Sequence, residues 1–380
     1  LRNLAGLCGL CQSDNELYVA RRQRDDVAST RILLMEQYDR PSGDGAVAAY
    51  PGRVTLRDIA DAVGVSISTA SRALNGAPGT SDAVRARVQS AAERLNYAGA
   101  SASLSSVTVL FDVHLTESGA GEFMHAVQRG IEKRARELSV NLSMKLVGPS
   151  GMARLEPDSE TAGHLLLSMQ PEELIQQLSE RAIPAVIVNG REPLMRLDAV
   201  APANRTGGFL GAHHLLQLGH TRILTLSHSP RPTIRDRMAG CRKAMREAGV
   251  EAIEDLVIEL EAMRTNLAYQ AIRGRLETKG SCDFTAVLCC NDSCAFGAIA
   301  ALTEAGLSVP ADVSVVGFDD IPTAALNSVP LTTIRVEIED IGARSVNRLI
   351  ERIRSQDQLA TYTETAVKLV VRDSTGPVRK

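Results

Sequence analysis

Residues 54–76 read VTLRDIADAVGVSISTASRALNG. Leu56, Ile59, Ala60 and Val63 recur at helical spacing, the run stops at Gly64, and a second short pattern follows from Ser66 to Leu74. The spacing predicts helix, tight turn, helix. Gly64 supplies the left-handed backbone conformation that a turn of three or four residues demands, and Ser66 is a good N-cap for the second helix. That helix is short and polar on one side. Its free face carries Ser68, Ser71, Arg72 and Asn75, side chains suited to phosphates and base edges rather than to packing, and a helix with such a face fits a DNA major groove.

After Gly76-Ala77-Pro78-Gly79 a third helix is expected, capped by Ser81, with Val84, Val88, Ala91, Ala92 and Leu95 on one apolar face. Those three helices can close a small core. VTLRDIADAVGVSISTASRALNG followed by VRARVQSAAERLNY resembles the DNA-binding head of the LacI/GalR family of bacterial transcription repressors. The resemblance implies that Ile67, Ser68 and Arg72 meet base edges and that Thr55, Ser71 and Asn75 meet phosphate, with Leu56 either near the groove or in the core. Arg72 carries the most weight, because a bidentate arginine on guanine discriminates bases by about 1–3 kcal/mol; a phosphate contact is its alternative.

The chain has 380 residues, enough for two or three domains and a sizeable core, and its 44% hydrophobic and 23% charged residues are ordinary for a globular protein. Net charge is −3, which does not exclude DNA binding, since only the docking face must be basic. From Arg53 to Gly99 six arginines face four carboxylates. No apolar run approaches the roughly 20 residues of a membrane span and no secretion signal opens the chain, so the expected compartment is the cytoplasm. Seven cysteines fit that compartment. Cys8 and Cys11 form a lone C-x-x-C, a weak metal or redox signal, whereas Cys289, Cys290 and Cys294 read as small buried hydrophobes; no metal or cofactor is expected.

Residues 1–52 match no assignable pattern and read as an extension or solvated tail, ahead of a head at 53–97. A linker at 98–106 is built of small residues. In the family this segment holds a Pro and an Arg and folds on DNA into a hinge helix that wedges a Leu into the minor groove. Here it is shorter and lacks both residues, leaving Leu104 as the sole candidate wedge.

From Val107 the chain alternates strand and helix. Val107–Val113, Leu165–Met169, Ala185–Val188, Ile223–Leu226, Ala286–Cys290 and Val313–Phe318 read as strands that are apolar throughout, the mark of parallel sheets covered on both faces. The fold class is therefore multidomain: an all-α helix-turn-helix head, then an α/β core of two doubly wound subdomains. In such sheets ligands sit at the carboxyl ends of the strands. The residues there are polar: Asn189, Asn291-Asp292 and Asp319-Asp320, with Arg237 opening a further helix, although each Asn or Asp could be a mere turn former or cap.

LLQLGHTRI, RMAG, AVLCCNDSCAFGAIAAL, LSVPADVSVVGFDD, PLTTIRV and VKLVVRDST resemble the family's core, which is similar to periplasmic sugar-binding proteins. The resemblance implies a core at 107–375, with an N-subdomain at about 107–202 and 333–354, a C-subdomain at about 203–332 and 355–375, and crossovers near Pro202, Leu331 and Arg354. It places an effector between the subdomains, bound by Arg237, Asn291 and Asp319, with Asn189 facing them and the loop from His114 to Phe123 closing over it, Phe123 itself in contact. Arg offers a fork of donors, Asp accepts hydroxyl hydrogens and Asn does both.

These modules imply a homodimer, or a higher oligomer, that reads a pseudo-palindromic operator on double-stranded DNA under the control of a small effector, most simply a sugar or sugar derivative. The alternative is a sugar sensor of the periplasmic-binding type without a specific DNA output, which would have no use for residues 54–97. An enzyme would need an activated nucleophile, an acid–base pair or a metal cluster. His213-His214 and Asp319-Asp320 supply no such constellation by spacing, so the chain reads as a regulator without catalysis.

Overall fold

Three short helices occupy residues 56–94 of the computed structural model, which describes residues 56–74, 79–95, 106–112, 121–148, 161–250, 254–355 and 358–379. They are α1 (Leu56–Val63), α2 (Ile67–Leu74) and α3 (Asp82–Arg94). Gly64 turns the chain at φ +69°, and the Ser66 hydroxyl accepts the Thr69 amide hydrogen at 3.1 Å, so turn and cap form as the sequence requires. Ile59, Ala60, Val63, Ala70, Ala73, Val88, Ala91 and Ala92 are buried together. Arg87 on α3 donates to the Val63 carbonyl at 2.7 Å, closing the end of α1 where helix carbonyls lack partners. Leu56 is half-buried and packs against this core, one of its two expected placements. One expectation shifts. Leu95 lies one residue past α3 and is 37% exposed, so the apolar face of that helix ends at Ala92.

Two six-stranded sheets follow. The first has the order β11-β5-β4-β3-β1-β2 and is parallel throughout: β1 (Ser106–Asp112), β2 (Asn141–Val147), β3 (Gly163–Leu167), β4 (Ala185–Val188), β5 (Asp198–Pro202) and β11 (Tyr362–Thr365). It is covered by α4 (Gly121–Glu137), α5 (Glu172–Glu180) and α10 (Ile338–Arg354), whose apolar residues join Val107, Val109, Leu165 and Val186 or Leu110, Leu166 and Ile187 in two clusters. The second sheet has the order β12-β10-β9-β8-β6-β7: β6 (Ile223–Ser227), β7 (Val257–Glu259), β8 (Ala286–Leu288), β9 (Ser314–Asp319), β10 (Thr332–Val336) and β12 (Val367–Val370), the last antiparallel to β10. Helices α6 (Asn204–Gln217), α7 (Pro232–Glu247), α8 (Thr265–Lys279) and α9 (Asp292–Glu304) cover it.

The chain leaves the first sheet at Pro202. It returns later than the sequence motifs imply. Thr332–Val336 pairs with β9 and β12, so the second crossover falls between Val336 and Ile338 rather than near Leu331; Tyr362–Thr365 pairs with β5, so the third falls between Thr365 and Val367 rather than near Arg354. Both segments are short β-branched runs whose sheet is settled by pairing partners distant in sequence. β2 escapes the sequence reading for another reason: as an edge strand it leaves Met144 43% and Leu146 50% exposed and shows no core pattern.

Asp198 fastens the last return. Its fully buried carboxylate accepts Arg348 Nε at 2.8 Å, Arg352 Nε at 2.7 Å and the Thr361 amide at 2.7 Å, joining β5 to α10 and to the approach of β11. Burial works to raise its pKa, but the hydrogen bonds from Arg352, Thr361 and Arg348 outweigh it and hold it below the ordinary carboxylate value. Asp198→Ala would leave two guanidiniums facing each other and should cost about 3–5 kcal/mol at pH 7, measured by urea unfolding. A depressed pKa contributes stability above the unfolded value that is lost on acidification, so the gap between wild type and variant should narrow below about pH 4.

Candidate functional site

On α2 the buried residues are Ala70 and Ala73, so Ile67, Ser68 and Arg72 point outward, Ile67 with 42% of its surface exposed. Ser71 is half-buried. An exposed isoleucine on a capped helix has no packing role and suits an apolar contact such as a thymine methyl. Arg72 Nε donates to the Ser68 carbonyl one turn back at 3.2 Å, which steers the guanidinium along the exposed face. Thr55, Asn75 and the wedge Leu104 lie outside the described residues, as do Cys8, Cys11 and residues 113–120 of the expected cleft loop.

The second set of polar residues gathers at the carboxyl ends of the strands. Helices α6 and α7 approach so closely that a Cβ on Gly208 would stand 1.9 Å from the Arg237 carbonyl oxygen, and one on Gly240 1.9 Å from that of Arg205. The crossing presses Arg237 onto the sheet. Its guanidinium stacks 3.5 Å from the centre of the Phe318 ring and donates to Asn204 Oδ1 at 2.9 Å, to the Cys290 carbonyl and to Asp319 Oδ1 at 3.4 Å. Asp319 ends β9 with φ +116°. Burial pushes its carboxyl up to about 6, against the opposing pull of Arg237 and Arg231. Next to it Asp292, buried and facing Asp319, is raised well above the usual range, and accepts from Thr333 Oγ1 and the Ile321 amide. Asn291 caps α9, its Oδ1 accepting the Cys294 amide at 2.9 Å, so the capping role holds and one more duty is open to its Nδ2.

Two cavities open here. One of about 250 Å³ is lined by Phe123, Thr265, Asn291, Ser293, Asp319 and Ile321, and so brings together three of the five expected effector residues from both subdomains. A larger one, about 570 Å³, lies between Ser168 and Gln170 of the first subdomain and His228, Arg231, Arg235 and Arg264 of the second. Arg237 lines neither; in this structure its donors meet Asn204, the Cys290 carbonyl and Asp319. Asn189 lines neither as well; its Nδ2 donates to Ser168 Oγ, a residue of the larger cavity's wall, at 3.0 Å. The sequence reading missed Arg231, Arg235, Arg264 and His228. The run SHSPRPTIRDR directly after β6 carries three of them, at the strand end where ligands sit, and was the available signal.

The remaining candidates for chemistry are structural. His214 Nε2 bonds Thr375 Oγ1 at 3.0 Å, His213 stacks on Phe209, and Asp320 pairs with Arg335 and Arg372. Cys289, Cys290 and Cys294 are free and buried. Among the described residues no group of three or more His, Cys, Asp or Glu is placed to hold a metal ion, and no helix is long and apolar enough to cross a membrane.

A raised folded pKa means that folded Asp319 keeps a proton which the unfolded chain has lost between about pH 6 and pH 4, so acidification through that window stabilises the fold. Asp319→Asn should therefore gain less stability than wild type between pH 7 and pH 5 in urea unfolding. An identical pH response in both proteins would show that this carboxyl does not titrate there.

Residues 55–99 match the profile of bacterial regulatory proteins of the lacI family, and residues 212–375 that of a periplasmic binding protein-like domain. The chain is 29% identical over 332 residues to the HTH-type transcriptional repressor PurR of Aliivibrio fischeri strain MJ11, covering 84% of this chain and 98% of that protein. Its fold matches the transcriptional regulator CelR in complex with cellobiose (TM-score 0.65, 27% identity, 85% of this chain and 100% of that one). It also matches the lac repressor dimer bound to operator and the anti-inducer ONPF (TM-score 0.63, 26% identity, 85% and 99%). With a lacI-family helix-turn-helix head in front of a periplasmic binding protein-like domain, the chain has the domain arrangement of these LacI-type regulators.

Proposed function

We propose that this protein is a sequence-specific repressor of transcription whose affinity for operator DNA is set by a small polar effector in the cleft between its two subdomains. The observation that carries the reading is the presence in one chain of an α2 face exposing Ile67, Ser68 and Arg72 and a cleft where Phe123, Asn291 and Asp319 converge across two sheets. A head alone would bind DNA without control; a cleft alone would sense without output. Relatives fit both halves, since the lac repressor structure holds operator and the CelR structure holds cellobiose. A sugar or sugar derivative is the effector class, and the working form is a homodimer that presents two heads to a pseudo-palindrome in the bacterial cytoplasm.

In this reading Arg72 discriminates bases, Ser68 and Ile67 add short-range contacts, and Ser71 meets phosphate. Effector binding changes the angle between subdomains and so the population of dimers whose heads match the operator spacing. Selection of the purified chain on random duplex DNA, read at two salt concentrations, tests it. A pseudo-palindrome should enrich, with affinity falling steeply as salt rises. Weak binding without sequence preference would instead favour the sensor without DNA output, as the linker lacking Pro and Arg allows. On the enriched operator Arg72→Ala should lose about 1–3 kcal/mol of specific affinity, a factor of roughly 5 to 150, while non-specific binding changes far less. Asp319→Asn should bring the ratio of operator affinities with and without effector toward one.

A further inference from the structure

The larger cavity is unusual in its charge. Arg231, Arg235 and Arg264 line it with His228, against the carboxylates of Asp112 and Glu261. Arg231 makes no side-chain hydrogen bond or ion pair among the described residues, although it is partly buried and stands beside a second cation, Arg237. Asp319, the carboxylate whose charge favours its ionised form, already pairs with Arg237. Burial, with the repulsion from Arg237, lowers the Arg231 pKa to about 10.

Three helices also begin at this cavity: α5, α7 and α8, whose N-cap residues Pro171, Arg231 and Arg264 all line it. None of the three has a side-chain cap, so their first-turn amides lack the internal acceptor that Asn291 gives α9. Helix N-termini carry partial positive charge. Amides and guanidiniums thus converge on one space in which three arginines outnumber the two lining carboxylates, Asp112 and Glu261. A neutral ligand sealing the cleft would bury Arg231 uncompensated, which is costly, whereas an anion would accept both its fork and the amides. The adjoining smaller cavity offers hydroxyl partners, Thr265, Asn291, Ser293 and Asp319, and Thr265 follows Arg264 directly in the chain.

We propose that the effector is a polyhydroxylated molecule bearing one anionic group, a phosphate or a carboxylate, with the anion held by Arg231 at the uncapped helix ends and the hydroxyls turned toward Asn291 and Asp319. The proposal rests on the effector reading of the cleft and narrows it from sugars in general to charged ones. Arg231 is then the specificity-determining residue.

Thermal unfolding of the full chain in potassium phosphate against potassium chloride at matched ionic strength tests the anion site, because any ligand bound only by the folded state raises the melting temperature. Wild type should melt a few degrees higher in phosphate, and Arg231→Gln should lose most of that rise; Arg231→Lys, which keeps the charge but not the fork, should keep part and serves if the first variant folds poorly. No rise in wild type, or an equal rise in wild type and Arg231→Gln, overturns the proposal. Calorimetric titration with glucose, gluconate and glucose 6-phosphate separates the two anions: at least a tenfold preference for one charged member over glucose is expected, and glucose binding as tightly as both overturns it. The operator selection above stands apart from these measurements. A chain that selects an operator yet prefers neutral sugar refutes this inference alone, and one that discriminates anions but selects no operator refutes only the regulatory reading.

Discussion

A buried guanidinium governs the carboxyl edge of the second sheet. Arg237 touches the start of α6 through Asn204, the end of β8 through Cys290 and the end of β9 through Phe318 and Asp319. A buried charge is tolerable only when its donors are met, so these four neighbours must hold their places together. The glycine crossing of α6 and α7 is what lets the arginine reach them, since a methyl at Gly208 or Gly240 would collide with backbone. Asp319, at positive φ, is thereby held at the cavity wall. The arginine of the motif RMAG thus braces the wall that Asp319 lines.

The first sheet depends on a mirror arrangement, a buried carboxylate between two arginines. Asp198 ties α10 and the approach of β11 to β5, which commits the chain to a last passage through the first subdomain before β12 ends in the second. Three strands of backbone therefore pass between the sheets, at 202, 336 and 365, and the apolar cluster of the first subdomain takes in Phe318, Ile334 and Val336 of the second. Such linkage permits hinge motion about neighbouring strands and opposes separation.

Local chemistry was legible in the sequence wherever one residue decides the outcome. Gly64 had to take positive φ, Ser66 had to cap, and apolar runs such as Ala185–Val188 could only be interior parallel strands. Asn291 caps α9, as a residue at that place in the sequence could, and also lines the smaller cavity. Where partners lie far along the chain, sequence failed: Thr332–Val336 and Tyr362–Thr365 look alike as strands and belong to opposite sheets. The same limit explains the site. Nothing in the spacing of Arg237 or Asn189 says that Asn204 or Ser168 will occupy them, and nothing in the isolated Arg231, Arg235 and Arg264 says that three helix ends will bring them to one cavity.

The energetics of the cleft follow from how lightly its two sides are joined. Across it Arg191 meets Asp236 at 3.5 Å, with 46% of the arginine side chain exposed, and Thr323 Oγ1 donates to the exposed Glu122 at 3.0 Å. Exposed pairs of this kind contribute about 0–1 kcal/mol each, so they cannot lock one angle between the subdomains. A ligand that prefers one angle by about 1.4 kcal/mol changes a two-state population ratio tenfold, more than either of these contacts opposes. A ligand contacting Asn291 on one side and Phe123 on the other contacts both subdomains at once, and its affinity must vary with their angle. Strong polar interactions, Arg237 and Asp198, lie within the subdomains, the polar contacts across the cleft are weak, and the shared apolar packing of Phe318, Ile334 and Val336 lies beside the crossovers, a distribution that suits a hinge.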